Sequence, residues 1–263
     1  MRKIVIILYG PPGSGKGTQA NLLAQKMGLI HFDTGKYLES VVHDPRRQKE
    51  AFIRRERKMF DEGILLTPSF VLREVSEAAT KIAKAGLGMV FSGSPRTIYE
   101  AEGLVPILER LYGKNNIFVF ELKLPAKGSI KRNSARLVCR ECGYGLLTAY
   151  YPKVHHVRYG KLSHVVKAKY CPVCGGRLYR RTLDKPEVIK VRLHEYENRT
   201  KPIFDILRKR RYVLEPINAS LAPYKVLGKI AGTIMLRSKG IGKKVYATTT
   251  SAQTLDFYRI LFS

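Results

Sequence analysis

The fold of this chain is decided by the segment IVIILYGPPGSGKGT, which runs from Ile4 to Thr18. Its opening residues form a continuous apolar, β-branched run, which is typical of a strand buried on both faces. A glycine-rich loop follows, and from Lys16 to Met27 apolar side chains recur at helical spacing. The segment therefore predicts a strand, a tight loop and a helix in succession.

The loop matches the phosphate-binding pattern G-x-x-x-x-G-K-[ST] from Gly10 to Lys16, with Gly17 in place of the commoner Ser or Thr and Thr18 next. Glycines let successive backbone N–H groups turn toward phosphate oxygens, and the following helix adds its positive N-terminal dipole. Lys16 supplies a charge for the β- and γ-phosphates, and Thr18 a hydroxyl for Mg²⁺ or the α-phosphate. The predicted phosphate site comprises Pro12, Gly13, Ser14, Gly15, Lys16, Gly17 and Thr18.

The alternation of strands and helices continues beyond the loop. Further strand-like runs occur at residues 87–91, 117–124 and 212–217, and helical patterns occur at 69–85 and from Pro186 onward. Strands that alternate with helices in this way form a parallel sheet with helices on both faces. The sequence therefore predicts an α/β fold of the P-loop NTPase type.

Two segments interrupt this alternation and are predicted to be lobes inserted at the edge where the strands end. Residues 33–66 are polar, rich in Arg and Lys, and helical in pattern, whereas residues 135–184 contain two cysteine pairs and few acidic residues. The predicted division of the chain is a core of residues 1–32, 67–134 and 185–236, the lobes 33–66 and 135–184, and a basic C-terminal extension, 237–263.

The charge of the chain is strongly positive. Lys and Arg number 48 against 21 Asp and Glu, which gives a formal net charge of +27. Such an excess predicts anionic partners, either nucleotides, nucleic acid or an acidic surface, although adaptation to a particular cell interior explains it equally well. No stretch approaches the roughly 20 consecutive apolar residues that cross a bilayer, so we expect a cytoplasmic protein with no membrane contact.

Four cysteines form two C-x-x-C pairs, Cys139 with Cys142 and Cys171 with Cys174, and a glycine follows each pair. Two such pairs can surround one zinc ion with four thiolates in a closed, structural site. That ion would hold together a lobe too small and polar to form its own core. The alternative is two reduced or redox-active pairs. The histidines between the pairs are expected at the lobe surface rather than on the metal: His155, His156 and His164.

Several segments resemble the motifs of adenylate kinases and their nucleoside monophosphate kinase relatives. The resemblance covers about residues 1–236. It rests on GPPGSGKGTQA from Gly10, HFDTG at 31–35, GILLTP at 63–68, SGSPRT at 92–97, Arg132 with Arg136, RTLD at 181–184, and Arg192 within PEVIKVRLHEY. The resemblance implies a sheet core with two mobile lobes, of which 33–66 covers the monophosphate and 135–184 forms a lid over the triphosphate.

The same resemblance implies that ATP, with Mg²⁺, phosphorylates a nucleoside monophosphate. AMP is the expected acceptor, with GMP or another monophosphate as the alternative. The groups implied to clamp the phosphates are Lys16, Arg96, Arg136, Arg181 and Arg192, and Arg132 would stack on the donor base. The implied acceptor site comprises Thr34, Gly35, Ile64, Leu65, Leu66, Gly93, Arg96, Glu100, Arg181 and Arg192. We also expect structural zinc in the lid and a monomeric chain.

The acceptor side departs from the family pattern at four positions. Ser92 stands where the family has an aspartate that orients Mg²⁺ through water, and Lys36 replaces another aspartate. Glu39 stands where the family usually has an arginine that grips the acceptor phosphate, which a carboxylate repels. Glu100 replaces the glutamine that reads the acceptor base. The donor side is nearly intact, so these changes put the acceptor in question and predict reduced activity as one outcome.

Two other functions are compatible with the sequence. A nucleic-acid-binding protein built on a weakened kinase core would use the basic lid and its tyrosines, which are Tyr144, Tyr150, Tyr151, Tyr159, Tyr170 and Tyr179. A P-loop ATPase with another acceptor would hydrolyse ATP without any monophosphate. The intervals between Arg136, Arg181 and Arg192 favour the kinase, because a protein that only binds nucleic acid needs no phosphate clamp. Weak nucleic-acid binding is expected beside the kinase activity.

Overall fold

The structure is a computed structural model that describes residues 3–147 and 169–239. Its strands are β1 Val5–Tyr9, β2 Ile30–Phe32, β3 Met89–Phe91, β4 Ile117–Lys123, β5 Arg136–Cys139, β6 Gly145–Leu147, β7 Leu178–Tyr179 and β8 Leu214–Asn218. A five-stranded sheet has the order β2-β3-β1-β4-β8, and its neighbouring strands are all parallel. The predicted α/β fold with a parallel sheet is therefore confirmed.

Helices cover both faces of this sheet. They are α1 Lys16–Met27, α2 Thr34–Val42, α3 Ala51–Glu62, α4 Pro68–Lys84, α5 Ile98–Tyr112, α6 Ala126–Ser134, α7 Pro186–Glu195, α8 Ile203–Lys209 and α9 Pro223–Lys239. Val5 and Ile7 of β1 lie in one apolar cluster with α4, α5 and α8. Ile6 and Leu8 lie in the other, with α1 and α9. Because successive side chains of a strand point to opposite faces, burial on both sides requires the uninterrupted apolar run of β1.

The strand β2 is an element that the sequence did not predict. It pairs with β3 at one edge of the sheet and contains three residues. Ile30 at its start is 39 % exposed, and His31 stands at its centre. A short edge strand of this kind lacks the continuous apolar run that identified the other strands. Elsewhere the predicted bounds shift by at most two residues, as in α4 and β8.

The two inserted segments differ in secondary structure. Residues 33–66 contain α2 and α3, in keeping with their helical pattern. In the segment 135–184, β5 pairs antiparallel with both β6 and β7, and the cysteine pairs lie at the adjoining turns. The boundaries of these lobes, which follow from composition and from the break in the strand–helix alternation, stay a prediction.

The helix α9 passes the predicted start of the C-terminal extension at residue 237. Its side chains Val226, Leu227 and Ile230 are buried in the cluster that also contains α1. Residues 240–263 lie outside the described part of the chain, as do His155, His156, His164, Tyr150, Tyr151 and Tyr159. Neither α9 nor any other helix in the two described ranges is long and apolar enough to cross a membrane.

Candidate active site

The predicted phosphate loop connects β1 to α1 at the carboxyl edge of the sheet. Gly13 and Gly15 have φ angles of 76° and 88°, which glycine adopts without strain. A Cβ on Gly13 would also lie 2.6 Å from Nδ2 of Asn133. Gly17 and the exposed Thr18 lie in the first turn of α1. Loop and helix N-terminus therefore meet at one point, and this arrangement favours an anion.

The helix α6 packs against the phosphate loop. Oγ of Ser129 donates a hydrogen bond to the carbonyl oxygen of Pro12, and Nδ2 of Asn133 donates to the carbonyl oxygen of Ser129 at 2.8 Å. Both side chains are fully buried, and Oδ1 of Asn133 has no hydrogen-bond partner within the described residues. The sequence did not predict this support, although small polar residues one helical turn apart were a usable signal. Arg132 lies between them on α6 and is 8 % exposed.

The side chain of Lys16 folds back over the loop. Its Nζ donates to the carbonyl oxygens of Gly10 at 2.6 Å and Pro11 at 3.0 Å. Burial lowers the pKa of Lys16 well below its usual value, and neighbouring guanidinium groups lower it further. Those groups belong to Arg96, Arg192 and Arg136. Cations that depress one another's pKa in this way are close enough to share one polyanionic ligand.

Arg136 and Arg192 meet at the buried carboxylate of Asp184. Arg136 donates two hydrogen bonds to it, one of them 3.0 Å long from Nε to Oδ2. Nη1 of Arg192 donates to a backbone carbonyl oxygen at 3.1 Å and lies 3.9 Å from Oδ1 of Asp184. Burial lowers the pKa of Arg192, and the charges of Arg136, Arg96 and Arg181 lower it further. The structure thus brings the predicted clamp residues together, and Asp184 aligns two of them.

Arg96 and Thr34 approach each other at Gly93. Nε of Arg96 donates to the carbonyl oxygen of Gly93 at 2.7 Å. A Cβ on Gly93 would lie 3.1 Å from Cβ of Thr34 and 3.2 Å from Nη2 of Arg96, so glycine permits both contacts. Thr34 and Gly35 open α2. Burial lowers the pKa of Arg96, which is a sign of a cation shielded from water.

The buried hydroxyl groups that have no hydrogen-bond partner within the described residues include one in the phosphate loop and one beside Gly93. These two are Oγ of Ser14 in the loop and Oγ1 of Thr34 in α2. A buried hydroxyl left unpaired costs on the order of 1–3 kcal/mol. Each hydroxyl therefore marks a place where a ligand atom would stabilise the protein.

The segment after α3 lies against α7. The backbone N–H of Leu65 donates to Oε2 of Glu195 at 3.2 Å, Leu66 is buried, and Ile64 is half-buried. A Cβ on the preceding Gly63 would lie 2.7 Å from Cγ1 of Val188 and 3.0 Å from Cγ of Arg192. The segment 33–66 thus touches the helix that carries Arg192.

Glu100 is buried in the first turn of α5. Its Oε2 accepts a hydrogen bond from the backbone N–H of Arg96 at 2.8 Å, and its Oε1 accepts from the Thr97 hydroxyl at 3.1 Å. Burial raises the pKa of Glu100, and these hydrogen bonds oppose the shift. Both oxygens thus help to fix the start of α5, which the sequence did not predict. Recognition of the acceptor base by Glu100 stays a prediction.

Lys36 and Glu39 both reach from α2 to the lid. Nζ of Lys36 lies so close to Gly143 that a Cβ there would be 2.1 Å away. Oε2 of Glu39 lies 3.9 Å from Nη2 of Arg181. Gly143 directly follows Cys142, so Lys36 lies beside the cysteine cluster. Two of the departures from the family pattern therefore bridge the lobe and the lid.

The four cysteines of the lid converge on one point. Their Sγ atoms all lie within 4.8 Å of one another. Sγ of Cys139 is 3.5 Å from that of Cys174, and Sγ of Cys142 is 3.6 Å from that of Cys171. A tetrahedron with Zn–S bonds of about 2.3 Å has edges of about 3.8 Å, whereas a disulfide bond is about 2.0 Å long. The cluster is therefore compatible with a zinc ion.

These features define a class of enzyme. A phosphate loop contains a half-buried lysine, and the charges of Arg96, Arg136 and Arg192 act on that lysine. Phosphoryl transfer depends on charge neutralisation and alignment rather than on covalent chemistry by the protein, and this arrangement provides both. The fold and the site are therefore those of a nucleotide phosphotransferase.

Comparison with known proteins identifies the family. The adenylate kinase family model matches residues 8–212. The chain is 33% identical over 206 residues to the adenylate kinase of Caldicellulosiruptor bescii, a match that covers 78% of this chain and 87% of the relative. It is 36% identical over 205 residues to the adenylate kinase of Methanothrix thermoacetophila, with 78% and 86% covered. The chain therefore belongs to the adenylate kinase family and is a nucleoside monophosphate kinase.

Proposed function

We propose that this chain transfers the γ-phosphoryl group of ATP to AMP. The observation that carries the proposal is the cation cluster at the phosphate loop, where neighbouring guanidinium groups lower the pKa values of Lys16 and Arg192. Like charges in a partly desolvated site repel one another, so a polyanion bound among these half-buried cations stabilises the site. The relatives' shared name, adenylate kinase, supports AMP as the acceptor.

ATP is assigned to the loop residues Pro12, Gly13, Ser14, Gly15, Lys16, Gly17 and Thr18, together with Arg132 and Arg136. Backbone N–H groups of the loop and Oγ of Ser14 would donate to phosphate oxygens. Lys16 would exchange its two carbonyl partners for the transferring phosphoryl group, because a charged acceptor makes the stronger hydrogen bond. Arg136, aligned by Asp184, would neutralise charge that spreads over the phosphoryl oxygens in the transition state.

Mg²⁺ fits this site through oxygen ligands. The ion prefers oxygen donors, retains several waters and binds together with substrate phosphates. The exposed hydroxyl of Thr18, in the first turn of α1, would hold it. The bound ion would neutralise part of the phosphate charge.

AMP is assigned to a site lined by Thr34, Gly35, Ile64, Leu65, Leu66, Gly93, Arg96, Glu100, Arg181 and Arg192. Oγ1 of Thr34 and the guanidinium of Arg96 would bind the acceptor phosphate from opposite sides of Gly93. Glu100 would face the base. A protonated Glu100 donates to N1 of adenine, whereas an ionised one accepts from N1–H and the 2-amino group of guanine. Burial raises the pKa of Glu100 and so favours the protonated form, whereas the hydrogen bonds from Arg96 and Thr97 favour the ionised form.

Residues 33–66 and 135–184 are proposed to close over the acceptor and the donor, with a structural zinc ion at the four-cysteine cluster of the second lobe. The contact between Lys36 and Gly143 supports a closed arrangement. Closure would keep water away from the phosphoryl group, for which water is a competing acceptor.

A panel of nucleoside monophosphates, each supplied with ATP and Mg²⁺, tests this function. We expect rapid formation of ADP from AMP and slower use of GMP. Hydrolysis of ATP without any monophosphate would indicate the P-loop ATPase instead. Absence of transfer to every acceptor, with salt-sensitive binding of RNA, would favour the nucleic-acid-binding protein. The monomeric state, the cytoplasmic location and weak nucleic-acid binding beside the kinase activity stay predictions.

A further inference from the structure

A chain of hydrogen bonds joins three elements at the carboxyl edge of the sheet. Nδ1 of His31 in β2 lies 2.5 Å from Oδ1 of Asn21 in α1. Nε2 of the same ring lies 2.8 Å from Oγ of Ser92, which directly follows β3. Asn21 is exposed, His31 is half-buried and Ser92 is 7 % exposed. The chain thus runs from the surface to a buried hydroxyl.

The chemistry of these groups sets the direction of each hydrogen bond. A side-chain amide oxygen only accepts, so Asn21 requires a proton on Nδ1 of His31. Burial lowers the pKa of His31, with Asp33 opposing and Lys36 adding to the shift. A neutral ring with a proton on Nδ1 has a lone pair on Nε2. Ser92 must therefore donate its single hydroxyl proton to His31, and toward any other neighbour it can only accept.

The position of Ser92 places this acceptor at the border between the two substrate sites. The strand β3 pairs with β1, whose end leads into the phosphate loop. The next residue, Gly93, is the point where Arg96 and Thr34 meet. A group at this border encounters phosphate oxygens, which accept, and water bound to a metal ion, which donates because the ion occupies its lone pair.

We infer that Asn21 and His31 are positioning residues that make Ser92 an obligatory hydrogen-bond acceptor, and that Ser92 thereby selects a magnesium-bound water rather than a phosphate oxygen. The inference rests on the proposed use of Mg²⁺ and ATP. In this arrangement a neutral oxygen does the work of a carboxylate at residue 92. Two residues outside the phosphate loop are needed to orient it.

The direction of the hydrogen bonds from Asn21 through His31 to Ser92 is tested on the full-length protein by nitrogen NMR of labelled histidine. The variant His31→Gln is used to assign the His31 signals. The expected result at neutral pH without nucleotide is a neutral ring that has its proton on Nδ1. In Asn21→Leu, which replaces an exposed side chain, the proton should redistribute to Nε2. A wild-type ring with its proton on Nε2, or a charged ring, would overturn the inference whatever the enzyme's activity.

The consequence for Mg²⁺ is tested by calorimetry, as the ratio of the affinities for ATP with and without Mg²⁺. Asn21→Leu and Ser92→Ala should each lower this ratio roughly 3–10-fold, the effect of one lost hydrogen bond. The double variant should fall no further than Ser92→Ala, because Asn21 acts through Ser92. Gln25→Leu, on the same helix, is the matched control and should leave the ratio unchanged.

A carboxylate accepts hydrogen bonds whichever nitrogen of His31 carries the proton. Ser92→Asp should therefore raise the ratio of ATP affinities with and without Mg²⁺, and remove the effect of Asn21→Leu on that ratio. Equal ratios in wild type, Asn21→Leu and Ser92→Ala would show that Ser92 does not contact metal-bound water. Normal phosphoryl transfer beside that result would overturn this inference alone. Absence of ATP binding in every variant would instead count against the proposed function.

Discussion

The donor side and the acceptor side of the site are built from different parts of the chain. On the proposed donor side, backbone N–H groups of the loop 10–18 would provide much of the phosphate site, and the sequence there resembles the family pattern. On the proposed acceptor side, three side chains that depart from the family pattern lie in α2 and α5: Lys36, Glu39 and Glu100. A backbone N–H is kept by any substitution that the loop's conformation tolerates, whereas a side-chain contact is lost when that side chain is replaced. We therefore expect this chain to differ from its family in acceptor recognition rather than in phosphoryl transfer.

The contact between Glu39 and Arg181 shows how the acceptor side tolerates such a change. The two side chains are 42 % and 21 % exposed and lie 3.9 Å apart. Exposed ion pairs contribute about 0–1 kcal/mol. An acceptor phosphate would therefore take Arg181 from Glu39 at little cost.

Replacing the loop lysine should produce the largest effect, because it acts on the donor side. Lys16→Ala removes the charge that the loop offers to the transferring group, and such contacts are worth about 3–4 kcal/mol in the transition state. Turnover should fall at least about 100-fold, with the melting temperature nearly unchanged. Lys26→Ala, an exposed lysine on the same helix, is the control. Retention of more than about a tenth of wild-type turnover would contradict the assignment of Lys16.

Replacing one cysteine should destabilise the proposed lid, residues 135–184, more than the core. We expect about one zinc ion per wild-type chain by metal analysis, and loss of that ion in Cys142→Ser, because a structural site needs four ligands. Proteolysis should then cut the lid before the core. Val173→Ser, an exposed change in the other cysteine turn, should retain the metal. Protein purified under reducing conditions without zinc would rule out a structural zinc site.

A smaller effect is expected for Glu100→Gln, which changes the buried group assigned to the acceptor base. The amide both donates and accepts, as adenine requires, and a mismatch of this kind costs about 1–3 kcal/mol. The ratio of kcat/KM for AMP to that for GMP should rise in the variant. Glu102→Gln, an exposed position on α5, is the control. An unchanged ratio in an enzyme that already uses AMP alone would mean that Glu100 only fixes the start of α5.

The smallest effect is expected for Glu39→Gln, since its contact with Arg181 is exposed. Removing the carboxylate removes its repulsion of the acceptor phosphate, so KM for AMP should fall by a few-fold with kcat nearly constant. The gain should shrink at high salt, because salt screens exposed charges. Glu62→Gln at the end of α3 serves for comparison. A rise in KM would show that Glu39 assists binding, for instance by keeping Arg181 in place.

Local sequence was sufficient to predict the elements whose signals are continuous along the chain. The apolar run of β1, the glycine loop and α1 were predicted together, and α4 and α7 appeared within a residue of their predicted starts. The strand β2 was missed because three residues at a sheet edge carry no such run. The support of the loop by Ser129 and Asn133 was missed for another reason, since helix propensity does not show which buried face contacts the loop.

The sequence by itself determined the phosphate loop and the cysteine pairs, because their chemistry is set by spacing within a few residues. Glycines at Gly13 and Gly15 permit the positive φ angles wherever the loop is placed. Only the tertiary structure decided which distant groups meet. Arg136 finds Asp184 48 positions away, and Ser92 finds His31 61 positions away. Hydrogen bonds depend on distances below about 3.5 Å, and no local pattern specifies distances between residues so far apart in sequence.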